Sequence, residues 1–169
     1  ASLKAVRPGL KLTLQIGGKL VTFMNVHLKS ACANLVTAGG VVGRLLTDAD
    51  QNCRVLNRQV PHLEEWIESV AILTPRFVIL GDFNRKIDEE ANANVSMDRV
   101  RLTGVDPALP NPIGVGGEVS SKYLWQEIAD STPPGTRMYQ VPLASPVVGC
   151  AGFTGLDHIV VSGEIFDLQ

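Results

Sequence analysis

The chain has 169 residues, of which 45% are apolar, and a formal net charge of -2. This length and apolar content predict one domain over residues 1–169 with a buried core. The small negative charge excludes a protein that holds nucleic acid mainly through a large basic surface. The sequence has no run of about 18 uncharged apolar residues, so it predicts no membrane span.

The cysteines are Cys32, Cys53 and Cys150, an odd number that leaves one outside any disulfide scheme. Cys32 and Cys53 flank a loop rich in Ala and Gly, and a disulfide that closes a loop of this size stabilises a fold by about 3 kcal/mol. The alternative is three ordinary reduced cysteines. If Cys32 and Cys53 do pair, we expect a secreted or periplasmic protein.

Residues 10–16 alternate between apolar and polar side chains, and a second apolar run covers residues 20–26. Gly17 and Gly18 separate the two runs, which predicts a β-hairpin with a two-residue glycine turn. His27 follows the second strand directly. A histidine in this position is either a structural residue with a hydrogen bond or a catalytic one.

Residues 31–50 predict a long loop with at most one short helix, of the kind that carries function or is fixed by a covalent link. A helix is predicted from Asp50 to Val70, because apolar residues recur there at helical spacing. Asp48 or Asp50 can cap it, and Pro61 should kink it or divide it in two. His62 is interpreted as a surface residue.

The composition of the stretch from Arg76 to Arg85 changes halfway from apolar to mostly polar residues. Residues 77–80 are large and apolar, which predicts a short strand buried on both faces. Gly81 then permits a turn, and if the chain stays extended Asp82 and Asn84 project to the same side. The alternative is that Gly-Asp-x-Asn is only a turn.

The last informative stretch is residues 154–162, where Ile159 to Val161 predict a core strand. Asp157 and His158 must point in opposite directions if the chain is extended, so only one of them can face a site. Between the two informative stretches, residues 86–106 predict an irregular segment of mixed charge. Tyr123 to Ala129 predict a short helix or strand.

Three motifs in this order resemble the endonuclease/exonuclease/phosphatase superfamily, which has the DNase I-like fold. They are Asn25-Val26-His27-Leu28-Lys29-Ser30, Leu80-Gly81-Asp82-Phe83-Asn84 and Leu156-Asp157-His158-Ile159-Val160-Val161-Ser162. The resemblance implies an α/β (α+β) protein: a four-layered sandwich of two mainly antiparallel sheets flanked by helices. It also implies Mg²⁺- or Mn²⁺-dependent hydrolysis of a phosphoester by in-line attack of water, and a phosphodiester substrate, including nucleic acid.

The resemblance also assigns roles to individual residues. His27 matches the histidine that contacts the scissile phosphate and assists the leaving group, and Asp82 matches the aspartate that orients the attacking water. Asn84 matches the asparagine that binds a phosphate oxygen, and Asp157 matches the aspartate near the metal. Asp82 and Asp157 are thus the predicted metal ligands. Further substrate contacts are predicted for Arg85 and Lys29, against the alternative that such charged residues form a solvated face.

Family members also carry an Asn and a Glu in an N-terminal half, and a Ser-Asp-His sequence near the C-terminus, which this sequence does not show. We therefore expect a partial domain that associates with itself or with the missing part of the domain. The alternative function is a scaffold or interaction module that keeps the fold without a working metal site. A third interpretation, an α/β binding domain with a coincidental motif, requires three coincidences in order.

Overall fold

The computed structural model describes residues 7–37, 40–43, 45–92, 123–143 and 155–168. These residues form a mixed α+β structure, which confirms the predicted class at that level. The elements, in chain order, are β1 (Leu10–Ile16), β2 (Lys19–His27), β3 (Asn34–Thr37), β4 (Gly40–Gly43), α1 (Gln51–Leu73), β5 (Phe77–Asp82), α2 (Ile87–Asn92), α3 (Leu124–Ile128), β6 (Met138–Gln140), β7 (Asp157–Ser162) and α4 (Gly163–Phe166).

Five of the strands form one mixed sheet in the order β1-β2-β5-β7-β6. Strands β2 and β5 pair in parallel, and α1 is the crossover that connects them. The other pairs in this sheet are antiparallel. Strands β3 and β4 form a separate antiparallel pair.

The predicted hairpin of β1 and β2 is confirmed, with a turn at Gly17 and Gly18. Both glycines have positive φ, 57° and 76°, which a two-residue hairpin turn requires and other residues resist. Strand β2 continues one residue beyond the predicted run and ends at His27. The loop predicted for residues 31–50 is wrong in part, because it contains the β3–β4 pair rather than a helix.

Helix α1 runs unbroken from Gln51 to Leu73, so Pro61 does not divide it, which was one of the two effects predicted for this proline. The side chain of Asp50 caps its first turn by accepting from the backbone N–H groups of Asn52 and Cys53. A proline removes one backbone hydrogen bond from a helix, and here buried side chains on both sides of Pro61 hold the two halves against the same core.

The two faces of the five-stranded sheet have different surroundings. We call the face packed against α1 the covered face. It carries rows of side chains that are paired across β2, β5 and β7, such as Met24, Ile79 and Val160, and all three are buried in the core with α1 residues. The opposite side is the open face, on which the alternate residues of the same strands lie.

Burial on the open face falls from β7 towards β1: Val161 of β7 is 6% exposed, whereas Leu10 and Leu12 of β1 are 68% and 51% exposed. Val78 and Leu80 of β5 are half-buried, whereas Phe77 and Ile79 on the covered face are buried. The prediction that residues 77–80 are buried on both faces is therefore wrong. Their covered side meets α1, and their open side remains partly accessible.

A glycine is required where β2 and β5 approach each other. Gly81 has φ of +127°, and a Cβ atom there would lie 2.1 Å from the backbone oxygen of Val26. Both facts exclude a side chain at this position. Gly81 therefore allows β5 to stay paired with β2 up to the last residue of each strand.

A disulfide joins Cys32 to Cys53, which settles the pairing that the sequence left open. It ties the segment after β2 to the first turn of α1, and both cysteines are fully buried. Cys150 and residues 93–122 lie outside the described residues, so most of the predicted irregular segment cannot be compared; its described start includes α2. Tyr123 to Ala129 form a short helix, α3, rather than a strand.

Candidate active site

The three sequence motifs meet at one end of the open face. His27 is the last residue of β2, Asp82 the last of β5 and Asp157 the first of β7. His27 is paired with Asp82, and Asp82 with Asp157. Residues paired directly across neighbouring strands have Cβ atoms about 5 Å apart on the same face. We call these three side chains the strand-end row.

The histidine and the central aspartate of this row are in contact. His27 Nε2 lies 3.5 Å from Asp82 Oδ2, and the two side chains are 42% and 29% exposed. Arg7 Nη1 also contacts His27 Nε2. Because a guanidinium only donates and a carboxylate only accepts, Arg7 and Asp82 present a donor and an acceptor to the same ring nitrogen of His27.

Backbone and side-chain hydrogen bonds fix the orientation of Asp82. Its Oδ1 accepts from the backbone N–H of Asn84 at 2.8 Å, which makes an Asx turn directly after β5. Asn84 has φ of 52°, so the chain does not stay extended here, and the condition under which Asp82 and Asn84 would project to the same side is not met. The turn interpretation and the site interpretation of this motif are therefore compatible, since the turn leaves Oδ2 directed at His27.

Asn84 connects the ends of β2 and β5. Its side-chain NH₂ donates to the carbonyl of Leu28 at 2.9 Å, and the N–H of Leu28 donates to the carbonyl of Asp82 at 2.9 Å. Asn84 is buried. The structure thus shows Asn84 as a residue that positions the strand-end row, and its predicted contact with a phosphate oxygen stays a prediction.

Asp157 and His158 lie on opposite faces of β7, as the alternation of an extended chain predicts. Asp157 is half-buried in the strand-end row, whereas His158 is 4% exposed on the covered face. His158 Nε2 donates to the carbonyl of Arg85 at 2.8 Å, and Nδ1 accepts from the Gln140 side chain at 3.0 Å. Asp157 is therefore the residue of this pair that faces the site.

Arg85 was predicted to contact a substrate, but its side chain is buried and paired inside the protein. Its side chain is 0% exposed, forms an ion pair with Glu90 at 2.6 Å and donates to the carbonyl of Cys32 at 2.7 Å. A guanidinium held in this way cannot reach a substrate on the open face. Burial raises the pKa of Glu90, and the charge of Arg85 opposes that rise.

Lys29, the other predicted substrate contact, is two residues beyond His27. Its backbone N–H donates to Gln59 Oε1 of α1 at 2.8 Å, and its ammonium group donates to the carbonyl of Ser30 in an exposed position. The residue as a whole is half-buried. Its contact with a substrate stays a prediction.

Two residues near the row, Arg7 and His62, belong to none of the three motifs, and the sequence predicted no functional role for them. Arg7 precedes β1, and because β1 pairs Leu10 with Asn25, the hairpin returns the residues before β1 to the end of β2. That register is the signal that would have placed Arg7 beside His27. His62 is exposed as predicted, but it also lines a pocket of about 230 Å³ together with Arg7 and His27.

The strand-end row contains two carboxylates that are candidate ligands for a divalent cation. Asp82 and Asp157 are partly accessible carboxylates at paired positions on one face. Mg²⁺ is often held by one or two carboxylates, with water and substrate phosphate as its other ligands, so these two residues fit such an ion. Among the residues that the structure describes, no group of three or more His, Cys, Asp or Glu side chains could hold a metal ion.

No helix in the described part of the chain has the length and apolar character needed to cross a membrane. Comparison of the chain with protein-family models, with curated proteins and with solved structures finds no match. The assignment of a function therefore depends on the motifs and on the geometry of the strand-end row.

Proposed function

We propose that the protein is a divalent-metal-dependent phosphoesterase, most directly a nuclease-type phosphodiesterase, with the strand-end row as its active site. The observation that carries this proposal is the register of the sheet. It brings His27, Asp82 and Asp157, which come from three separate motifs, into adjacent positions on one face. Three motifs that lie far apart in the sequence thus supply side chains to a single row.

The open face supports a DNase I-like sandwich as the fold of this proposal. In a sandwich, the inner face of each sheet is apolar and packs on the other sheet, with helices on the outside. The present sheet has a helix on one face and exposed leucines on the other. The open face is thus suited to a second apolar layer, and the strand-end row lies where such a layer would end.

Hydrolysis forms a bond between the water oxygen and phosphorus and breaks the ester P–O bond. One proton leaves the water and one joins the leaving oxygen. Asp82 is held by Asn84 through one carboxylate oxygen, and the other lies 3.5 Å from His27 in a side chain that is 29% exposed, which suits a group that orients the water and accepts its proton. His27, when protonated, suits the donor to the leaving oxygen, and a bound Mg²⁺ or Mn²⁺ would supply electrophilic charge for the phosphate.

Cations near the row suit an anionic substrate. The guanidinium of Arg7 contacts His27, and Lys29 follows His27 by two residues, with its ammonium group in an exposed hydrogen bond to Ser30. Fixed donors aimed at a phosphate lower the barrier because they need no reorganisation during the reaction. Arg7 and Lys29 are therefore the residues to which we assign the phosphate oxygens, in place of the buried Arg85.

The disulfide supports a secreted or periplasmic location for this enzyme, because such bonds persist in oxidising compartments. The exposed leucines of the open face support self-association or association with another part of the domain. Sedimentation velocity should show association that grows with concentration, and Leu12→Lys should weaken it. A chain that stays monomeric at all concentrations would contradict the self-association.

The experiment that tests the function is hydrolysis of a chromogenic phosphodiester with Mg²⁺ by the unsubstituted chain and its variants. We expect Asp82→Asn and His27→Gln each to lower the rate by about 10²-fold or more with little change in thermal unfolding. The matched control is Asp167→Asn, an exposed aspartate paired with Arg137 away from the row. Equal losses in Asp82→Asn and Asp167→Asn would contradict the assignment, and a folded chain without metal-dependent hydrolysis would favour the scaffold function.

A further inference from the structure

A pocket of about 230 Å³ opens beside His27, between α1 and the segment that precedes β1. Val26, Leu28 and Leu63 form its apolar floor, and all three belong to the buried core. The remaining lining consists of planar or hydrogen-bonding groups, from Arg7, Gln59, His62 and Trp66, with Gly9 at the edge. The pocket therefore shares His27 with the proposed active site and extends away from it.

The size and lining of this pocket select among ligands. Pockets for whole drug-sized ligands usually enclose about 300–1,000 Å³, so this one suits a single ring system rather than a large molecule. A lipid chain needs a long apolar groove, whereas here an indole, two imidazoles, a guanidinium and a carboxamide line a short cavity. Planar aromatic rings with polar edges stack on such groups and bond to them.

The segment at the mouth of the pocket is packed closely against Trp66. A Cβ atom on Gly9 would lie 2.5 Å from the ring of Trp66, so any side chain there would displace the indole or the segment. Gly9 thereby holds the segment that carries Arg7 against α1. This packing fixes the distance between the indole, Arg7 and the strand-end row, as a binding site of defined size requires.

We propose that this pocket binds a nucleobase of the substrate, next to the phosphate that the strand-end row would hydrolyse. The proposal rests on the proposed function for the position of the phosphate, and it adds the substrate class: a nucleotide ester rather than a sugar phosphate or a lipid phosphate. Trp66 and His62 provide the stacking surfaces, and Arg7 connects the pocket to His27.

Tryptophan fluorescence tests binding without any catalysis, because the chain has two tryptophans, Trp66 and Trp125. In a Trp125→Phe variant only Trp66 emits. We expect saturable quenching by adenosine 5′-monophosphate and none by ribose 5-phosphate or inorganic phosphate at equal concentrations. The matched Trp66→Phe variant should show no quenching by any of the three. If Trp125→Phe does not fold, the quenching of Trp66 is obtained by subtracting the fluorescence change of Trp66→Phe from that of the unsubstituted chain.

A kinetic comparison tests nucleobase binding by the pocket separately from phosphoester hydrolysis by the strand-end row. The p-nitrophenyl ester of thymidine 5′-phosphate and methyl p-nitrophenyl phosphate release the same phenol but differ in the nucleoside. We expect His62→Ala, at an exposed helix position, to raise KM several-fold for the first ester, with kcat unchanged and the second ester unaffected.

Three outcomes of these two experiments are decisive. Quenching by the nucleotide together with the selective rise in KM supports the proposal. If His62→Ala changes KM equally for both esters, or if ribose 5-phosphate quenches equally, the pocket does not bind a nucleobase. The proposed phosphoesterase activity is not contradicted by either result. Quenching without hydrolysis of either ester supports a nucleobase pocket and contradicts the proposed function.

Discussion

The two faces of the five-stranded sheet are both rich in apolar side chains, yet only the covered face is buried on β2 as well as on β5 and β7, and the open face becomes exposed towards β1. Met24, Ile79 and Val160 on the covered face are 0% exposed, whereas Leu10 and Leu12 on the open face are more than half exposed. The covered face contains the structural histidine, His158, and the open face ends in His27. Apolar character alone therefore does not determine which face is core, because burial depends on where α1 returns.

The largest difference between the faces should appear when a charge is placed on each. Met24→Lys puts an ammonium group into the core and should cost more than about 4 kcal/mol in the free energy of unfolding. Leu12→Lys, on the exposed face of β1, should change it by about 0.5 kcal/mol or less at concentrations where the chain is monomeric. Urea denaturation measures both, and similar losses for the two variants would show that the open face is covered in solution.

The next largest effect concerns the buried ion pair behind the row. Arg85→Met leaves the Glu90 carboxylate in the core without its partner and should cost about 3–5 kcal/mol. The double variant Arg85→Met/Glu90→Leu should lose less than Arg85→Met does alone, since it removes both buried charges. A stable Arg85→Met variant with weakened substrate binding would restore Arg85 as a substrate contact. Arg137→Met at an exposed pair is the control, and it should leave stability nearly unchanged.

Removal of the disulfide should have an intermediate effect. The double variant Cys32→Ala/Cys53→Ala should lose about 3 kcal/mol, because the unfolded chain is no longer constrained by the cross-link. The unsubstituted chain should lose a similar amount when it is denatured in the presence of a reductant. The double variant serves as the control and should not respond to reductant. No change of stability in either case would contradict a structural disulfide.

The smallest expected effect is a pH dependence from Glu90. Burial raises the pKa of this carboxyl above its ordinary value of 4.5. The folded state therefore binds the proton more tightly than the unfolded chain does, and the resulting stability is present below pH 4.5 and is lost as the pH rises through the raised pKa. We expect the free energy of unfolding, relative to that of Glu90→Gln, to fall as the pH rises from 4.5. A difference that grows with pH would contradict the raised pKa.

Local patterns in the sequence predict much of the fold. The hairpin at Gly17 and Gly18, the cap at Asp50 and the opposite directions of Asp157 and His158 all follow from spacing and residue type, and the structure has each of them. These features depend on neighbours in the chain. The β3–β4 pair was missed because each strand has only four residues, so its few strand-favouring residues, such as Val36, Val41 and Val42, were outweighed by the surrounding Ala and Gly.

Features that depend on distant residues could not be predicted in the same way. Arg85 was predicted to contact a substrate, and its buried role could not be foreseen. Its partners, Glu90 and the carbonyl of Cys32, come close to it only in the folded chain. Pro61 was expected to kink α1 or to divide it, because the local cost of a proline is evident in the sequence and the packing that keeps the helix continuous is not. The three motifs of the strand-end row were identified one by one, but only the register of the sheet places them in one row.

The most direct test of that row is the binding of Mn²⁺, measured by electron paramagnetic resonance of the free ion. If Asp82 and Asp157 share one ion, Asp82→Asn and Asp157→Asn should each weaken binding, and the double variant should lose little more than the larger single loss. Asp167→Asn, the matched change at an exposed pair, should bind as the unsubstituted chain does. Affinity unchanged by Asp82→Asn and by Asp157→Asn, or independent additive losses from the two, would contradict a single metal site at the end of the open face.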